Sequence, residues 1–152
     1  MVEIVEGDLF KSDAKIICHQ VNCQGVMGSG AAKQVREKYP EVYESYKTFC
    51  GTKSPKSKLL GEVYAVHITN NDKVICNLFA QENYGYDGKC YTSYEALQKC
   101  FDYVKQYSGG ETIAMPYMMG CHRGGGDWNT VYKMIEDTFT DCNVILYKYN
   151  GV

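Results

Sequence analysis

Six apolar runs of strand length lie along the chain (VEIVE, AKIICHQV, GEVYAVHI, KVICNLFA, ETIAMPYM and CNVILYKY), and segments of helical period separate most of them. A chain that switches between a period of two and a period of 3.6 in this way builds a mixed or parallel sheet covered by helices. The second run ends at Asn22 and passes through a glycine-rich loop into AAKQVREKYPEVYESYKTFC, which is helical on both sides of Pro40. The third and fourth runs are joined by Asn70-Asn71-Asp72 and read as a hairpin. Next, SYEALQKCFDYVKQY places Tyr94, Leu97, Cys100, Phe101 and Val104 on one core-facing stripe, and Gly109-Gly110 ends the helix. The fifth run leads through GCHRGGG into the helix DWNTVYKMIEDTF. The expected fold is α/β, three layers in the order α/β/α around a central mixed sheet, with ligands at the carboxyl ends of the strands.

The 152 residues, 45% hydrophobic, suit one domain over residues 1–152, and no repeat, linker or low-complexity tract divides them. Sixteen basic against 18 acidic residues give a formal net charge of −2, so no global positive field favours a stable nucleic-acid complex or an anionic membrane. An anionic ligand must therefore be held by a local site. No stretch approaches the roughly 20 apolar residues of a membrane span, and MVEIVEGDLF carries acids where a secretion signal needs basic residues. A cytoplasmic monomer is expected. The eight cysteines fall inside apolar runs such as KVICNLFA and AKIICHQV, which reads as buried reduced thiols rather than a disulfide framework. With no CxxC pair and three histidines, no metal-ligand spacing stands out, and no cofactor is implied.

Two loops share one design, in which a strand ends, glycines follow and a helix begins. The first is Asn22-Cys23-Gln24-Gly25-Val26-Met27-Gly28-Ser29-Gly30, and the second is Gly120-Cys121-His122-Arg123-Gly124-Gly125-Gly126. Glycines admit positive φ and let backbone approach a ligand, while the free N–H groups of a helix start attract phosphate oxygens. Either loop alone is equally well a tight turn. Together they suggest a ligand with two phosphates lying between them. GVMGSG lacks the Lys-Ser/Thr ending of a P-loop, and no acid about 20 positions on completes a dinucleotide fingerprint, so nucleotide hydrolysis and hydride transfer lose ground.

Gly7-Asp8-Leu9-Phe10, HQVNCQGVMGSGAA and MPYMMGCHRGGGDW, in that order and over nearly the whole chain, resemble the macrodomain, an ADP-ribose-binding fold. They look closest to the branch of the terminal ADP-ribose protein glycohydrolase and the antitoxin macrodomains that remove ADP-ribose from DNA. The resemblance implies that Asp8 accepts a hydrogen bond from the adenine amino group and that Leu9 adds a backbone contact. It also implies that residues 25–30 wrap the distal ribose and phosphates, and that residues 120–126 close over the diphosphate. Asn22 would sit near the distal ribose and Tyr147 would face the adenine. A turn-capping Asp8, a turn-forming Asn22 and a core-packing Tyr147 remain the plain alternatives. Trp128 reads as a packing residue.

In that branch a lysine after the central strand attacks the anomeric carbon and an acid in the second loop assists. Here Gln81 stands at the lysine position and Gly124 at that of the acid, and the nearest carboxylate is Asp127, whose plain reading is a helix cap. Lys89 could enter only from a flexible loop. The expectation is therefore a hydrolase of ADP-ribosyl groups that uses water, with Asn22, Gln81 and Asp127 orienting it. A non-catalytic ADP-ribose reader and an ADP-ribose 1″-phosphate phosphatase are the alternatives. The modified target, whether side chain, nucleobase or free metabolite, is left open.

Overall fold

Strand β2 (Ile16–Asn22) is buried along its length except at Gln20, as a strand must be when helices cover both faces of its sheet. The structure, a computed structural model, describes residues 1–85 and 87–149. β2 pairs in parallel with β4 (Lys73–Gln81) on one side and with β5 (Ile113–Pro116) on the other. Beyond β5 lie β6 (Val144–Lys148) and then β1 (Val2–Glu6), both parallel. Beyond β4 the edge strand β3 (Val63–Ile68) runs antiparallel, returned by a hairpin in which Asp72 takes φ 55°. The order β1-β6-β5-β2-β4-β3 thus sets the carboxyl ends of the five parallel strands along one rim.

Two apolar cores flank the sheet. On one face α3 (Tyr94–Ser108) and α4 (Trp128–Thr138) bury Leu97, Cys100, Phe101, Val104, Val131 and Ile135 against Ile16, Cys18 and Leu78. The stripe read from the 3.6-residue period is therefore the face that packs, with Tyr94 at its margin. Phe101 meets Phe139 edge-on at 5.5 Å between ring centres, and truncating a fully buried ring to alanine costs about 3–5 kcal/mol. On the other face α1 (Gly30–Lys38) and α2 (Pro40–Cys50) bury Val35, Val42, Tyr46 and Cys50 against Ile17, Val21 and Phe79. Pro40 breaks the helical segment because it has no N–H to donate, and it opens α2 where that donor is not needed.

Two expectations need correction. The fifth strand stops at Pro116, because the chain turns at once through Met118, a non-glycine residue at φ 65°. Of the eight cysteines, all of them free thiols, Cys18, Cys23, Cys50, Cys76 and Cys100 are buried, Cys121 and Cys142 are partly exposed, and Cys90 is exposed. Cys90 lies in the polar segment after β4 rather than in an apolar run. No helix among the described residues is long and apolar enough to cross a membrane.

Candidate ligand-binding site

A cleft opens at the rim where β5, β2 and β4 end. The first loop contributes Asn22, Val26 and residues 28–30 to its wall, and the second contributes Gly120, His122, Arg123 and Gly124. Gln20 and Gln81 close it from β2 and β4, Tyr84 and Gly85 border it beyond β4, and Tyr117, Met118 and Met119 border it after β5. The two glycine-rich loops therefore face each other across one cleft.

Asn22 organises the first loop. Its Oδ1 accepts from Gln24 N at 3.0 Å, Val26 N at 3.3 Å and the Tyr46 hydroxyl at 3.0 Å, and its Nδ2 donates to Val26 O at 2.8 Å. Asn22 is thus the turn-forming residue of the loop and also lines the cleft. The loop ends at the start of α1, where the backbone N–H groups of the first turn have no intrahelical partner, a setting that suits an anion. Met27 and Gly25 are buried behind the wall, Gly25 against Lys47 of α2.

The second loop is held by a polar chain that begins at Gln81. Gln20 Nε2 donates to Gln81 Oε1 and to Thr92 Oγ1, both at 2.8 Å, and Thr92 Oγ1 donates to Gly120 O at 2.7 Å. Gly126 N also donates to Gly120 O, and Gly124 O accepts from Tyr91 N and Thr92 N at 2.7 and 3.0 Å. The loop is thereby tied to the end of the segment that follows β4, residues 87–92, the strap. Its glycines fit this packing. A Cβ on Gly125 (φ 70°) would lie 2.3 Å from Lys89 O, and one on Gly120 (φ 78°) would lie 2.7 Å from Gln20 Oε1. Beside the loop, Met118 carries backbone strain of about 1–3 kcal/mol.

Of the three residues expected to orient water, the structure brings two together. Asn22 and Gln81 line the cleft, each 8% exposed. Gln81 gives one N–H to Asn83 O, so each primary amide keeps a second N–H without a partner among the described residues. Asp127 is corrected: it is the exposed cap of α4, its carboxylate accepting from Thr130 N and Oγ1 at 3.0 and 2.8 Å, and it is not part of the wall. Lys89 is exposed, 3.8 Å from Asp87, and also outside the wall. Cys121, Gly125 and Gly126 belong to the loop but not to the wall. Trp128 packs edge-on against Tyr117 at 5.1 Å, as a packing residue should.

Asp8, Leu9 and Tyr147 form a separate group at the β1/β6 end, off the wall. Asp8 Oδ1 caps the single 3-10 turn Leu9–Lys11 through Phe10 N at 2.9 Å, and Lys38 Nζ approaches Oδ2 at 4.0 Å. Leu9 is buried; the Tyr147 ring lies behind Gly7 and its hydroxyl donates to Ser12 Oγ at 2.9 Å. From β1 to β4 the order takes four strand steps, about 19 Å at 4.8 Å each. Gln20, Thr92, Tyr84, Tyr117 and Met118 were missed from sequence. Gln20 alone carried a signal, as an amide beside His19 near the end of a mostly apolar run.

No family model matches the chain. It is 25% identical over 156 residues to the DNA ADP-ribosyl glycohydrolase of Mycobacterium tuberculosis, covering 99% of this chain and 43% of that protein. It is 31% identical over 107 residues to the ADP-ribose 1″-phosphate phosphatase of Saccharomyces cerevisiae, covering 68% of this chain and 56% of that one. The chain thus spans less than half of the first relative and little more than half of the second. Among solved structures, the macrodomain of Mycobacterium tuberculosis DarG superposes with a TM-score of 0.81 at 24% identity, over 97% of both chains. DarTG of Thermosipho africanus, solved in complex with ADP-ribose, superposes with a TM-score of 0.79 at 21% identity, over 97% of this chain and 41% of the other. A likeness of this extent, running from the first strand to the last, gives the chain the fold of a macrodomain.

Proposed function

We propose that this macrodomain binds ADP-ribose and hydrolyses ADP-ribosyl groups from modified targets. The observation that carries the reading is the pair of glycine-rich loops facing each other across one cleft, with Gln81 at its β4 end and Asp8 at the far end of the rim. Adenine goes to the Asp8 end, the diphosphate between the loops, and the distal ribose beside Asn22 and Gln81. The relative that acts on ADP-ribosyl DNA and the neighbour solved with ADP-ribose support ADP-ribose as the ligand.

Gln81 offers amide donors and no amine, so no imine forms with the sugar and the attacking group is water. The free N–H groups of Asn22 and Gln81 orient a ribose hydroxyl or that water, while the loops fix the phosphates and hold the anomeric carbon in place. The eight free thiols support a reducing, cytoplasmic setting for this reaction. The protein works as a monomer, which light scattering checks.

A second reading, an ADP-ribose reader, is favoured by one observation: most of the hydrogen-bonding capacity of Asn22 and Gln81 is spent inside the protein. Titration calorimetry with ADP-ribose, AMP and ribose tests the ligand, and equal affinity for AMP and ADP-ribose would sink it. Incubation with ADP-ribosylated DNA and ADP-ribosylated protein tests the reaction, with ADP-ribose release expected and no adduct trapped by borohydride. Tight binding without release from any target leaves the reader. Phosphate release from ADP-ribose 1″-phosphate alone would instead align the protein with the yeast relative.

A further inference from the structure

The geometry points to His122, at the tip of the second glycine-rich loop, as the general base that takes the proton from the attacking water. This inference rests on the hydrolase reading above and names a catalytic group for it.

Among the described residues, the wall of the cleft holds no Asp, Glu, Lys or Cys. Its amides, Asn22, Gln20 and Gln81, donate and accept hydrogen bonds but do not take up a proton. The Arg123 guanidinium donates hydrogen bonds and offers no acceptor. The phenols of Tyr84 and Tyr117 offer hydroxyls. His122 is left as the wall residue whose imidazole can accept a proton from water and give it up again.

The loop tip is also held in place. Gly120, two residues before His122, is fastened to Gln81 through Thr92 and Gln20. Gly124, two residues after, is fastened to Tyr91 and Thr92 of the strap, and Gly125 N donates to the His122 carbonyl at 3.3 Å. The same hydrogen-bonded chain therefore sets the positions of Gln81 and of the loop that carries His122. The imidazole itself is exposed, so it can pass a proton on to solvent.

The other titratable groups on elements packed against the loop are committed elsewhere. On the strap, Lys89 pairs with Asp87 at 3.8 Å, and the Tyr91 hydroxyl donates to both Asp87 oxygens at 2.9 Å. Exposed Cys90 donates to Thr92 O. At the head of α3, the Tyr94 hydroxyl accepts from Asp127 N, while Asp127 itself caps α4. On the loop, burial pushes the Cys121 thiol up to about 11, with the Asp127 charge adding to the shift.

The step balances as follows. The water oxygen forms a bond to the anomeric carbon of the distal ribose while its proton passes to the neutral imidazole. The bond from that carbon to the target atom breaks, and the target leaves with the electron pair and takes a proton from solvent. The imidazolium then returns its proton to solvent, and ADP-ribose is released with a hydroxyl at the anomeric carbon.

The test uses the full chain and whichever of ADP-ribosylated DNA and ADP-ribosylated protein the wild type turns over, between about pH 5 and 9. The active form is the neutral imidazole, so wild-type kcat/KM falls on the acid side with a slope of one in log units. His122→Gln should lower kcat/KM by about 100-fold or more and remove that acid limb. Its melting temperature should stay unchanged, its ADP-ribose affinity should fall much less than its rate, and added imidazole should restore part of the rate of His122→Ala. A His122→Gln protein with wild-type rate and pH profile overturns the inference while leaving the hydrolase reading intact. A loss of rate matched by an equal loss of ADP-ribose affinity makes His122 a ligand contact and overturns it as well. A wild-type protein that binds ADP-ribose but releases it from no target removes the hydrolase reading, and this step with it.

Discussion

Gly124→Ala is the substitution whose effect can be worked most fully from the structure. Its new Cβ would sit 2.5 Å from Thr92 Oγ1, 2.7 Å from Gly120 O and 3.0 Å from Gln20 Nε2. None of these atoms is the loose end of a surface side chain, since all three belong to the chain of hydrogen bonds that ties the second loop to Gln81. If the Thr92 hydroxyl gives way, two hydrogen bonds worth about 1 kcal/mol each are lost, and leaving the Gly120 carbonyl one partner short raises the total to about 2–4 kcal/mol. If the loop gives way instead, the phosphate subsite opens and stability changes less. Urea unfolding followed by fluorescence reads the first outcome, and calorimetry with ADP-ribose reads the second. Thr92→Val removes the hydroxyl by another route, so the double variant should lose less stability than the two single losses added together. A Gly124→Ala protein that unfolds at the wild-type midpoint and binds ADP-ribose as the wild type does would refute the claim that this network holds the loop.

Asp8→Ala should weaken ADP-ribose binding by about 1.5–3 kcal/mol and, through the lost cap on Phe10 N, lower stability by about 1 kcal/mol; wild-type affinity in calorimetry would remove Asp8 from the site. Burial lowers the His19 imidazole to about 4, against the opposing effect of its 2.6 Å hydrogen bond to Asn77. Between about pH 6.5 and 4 the unfolded chain therefore holds a proton that the native chain does not, and stability falls as the pH falls, by about 3 kcal/mol in all. Unfolding free energies of wild type and His19→Gln across that window check this, with a shallower acid slope expected for the variant and equal slopes counting against it. Iodoacetamide followed by mass spectrometry should modify Cys90 first and the five buried thiols only after unfolding, and reductant should leave the melting temperature unchanged. A native disulfide in the intact mass would contradict both.

What the sequence disclosed follows the range of the interactions concerned. The stripe from Leu97 to Val104 was legible because residues three and four apart on a helix share a face, whatever the rest of the fold does. The β3/β4 hairpin and the break at Pro40 are local in the same sense. Asp127 as a cap was legible from its place before α4, while its catalytic reading required knowing whether α4 begins facing the cleft or away from it. The polar chain was out of reach, since Gln20 and Thr92 are 72 residues apart and meet only because β2 and β4 are neighbours. Gly125 shows both sides. A glycine there does mark a close backbone approach, but the backbone it meets is that of Lys89 and Cys90 in its own chain.

The amide at position 81 belongs to a pair, and this bears on why the chain does without the lysine. Gln20 Nε2 has two hydrogens, and the structure uses both, one on Gln81 Oε1 and one on Thr92 Oγ1. A lysine at 81 has donors only, so it would withdraw the acceptor from Gln20 and set an ammonium against an N–H in a site where each residue is largely buried. Restoring an amine nucleophile would thus require Gln20 to change as well, and through Thr92 the second loop would feel that change at Gly120. The amide pair and the loop anchored to it are one structural choice. Under the proposed hydrolase reading, that choice leaves no amine to attack the anomeric carbon and gives the second loop a fixed position at the cleft, so the reaction would have to draw on what that loop carries.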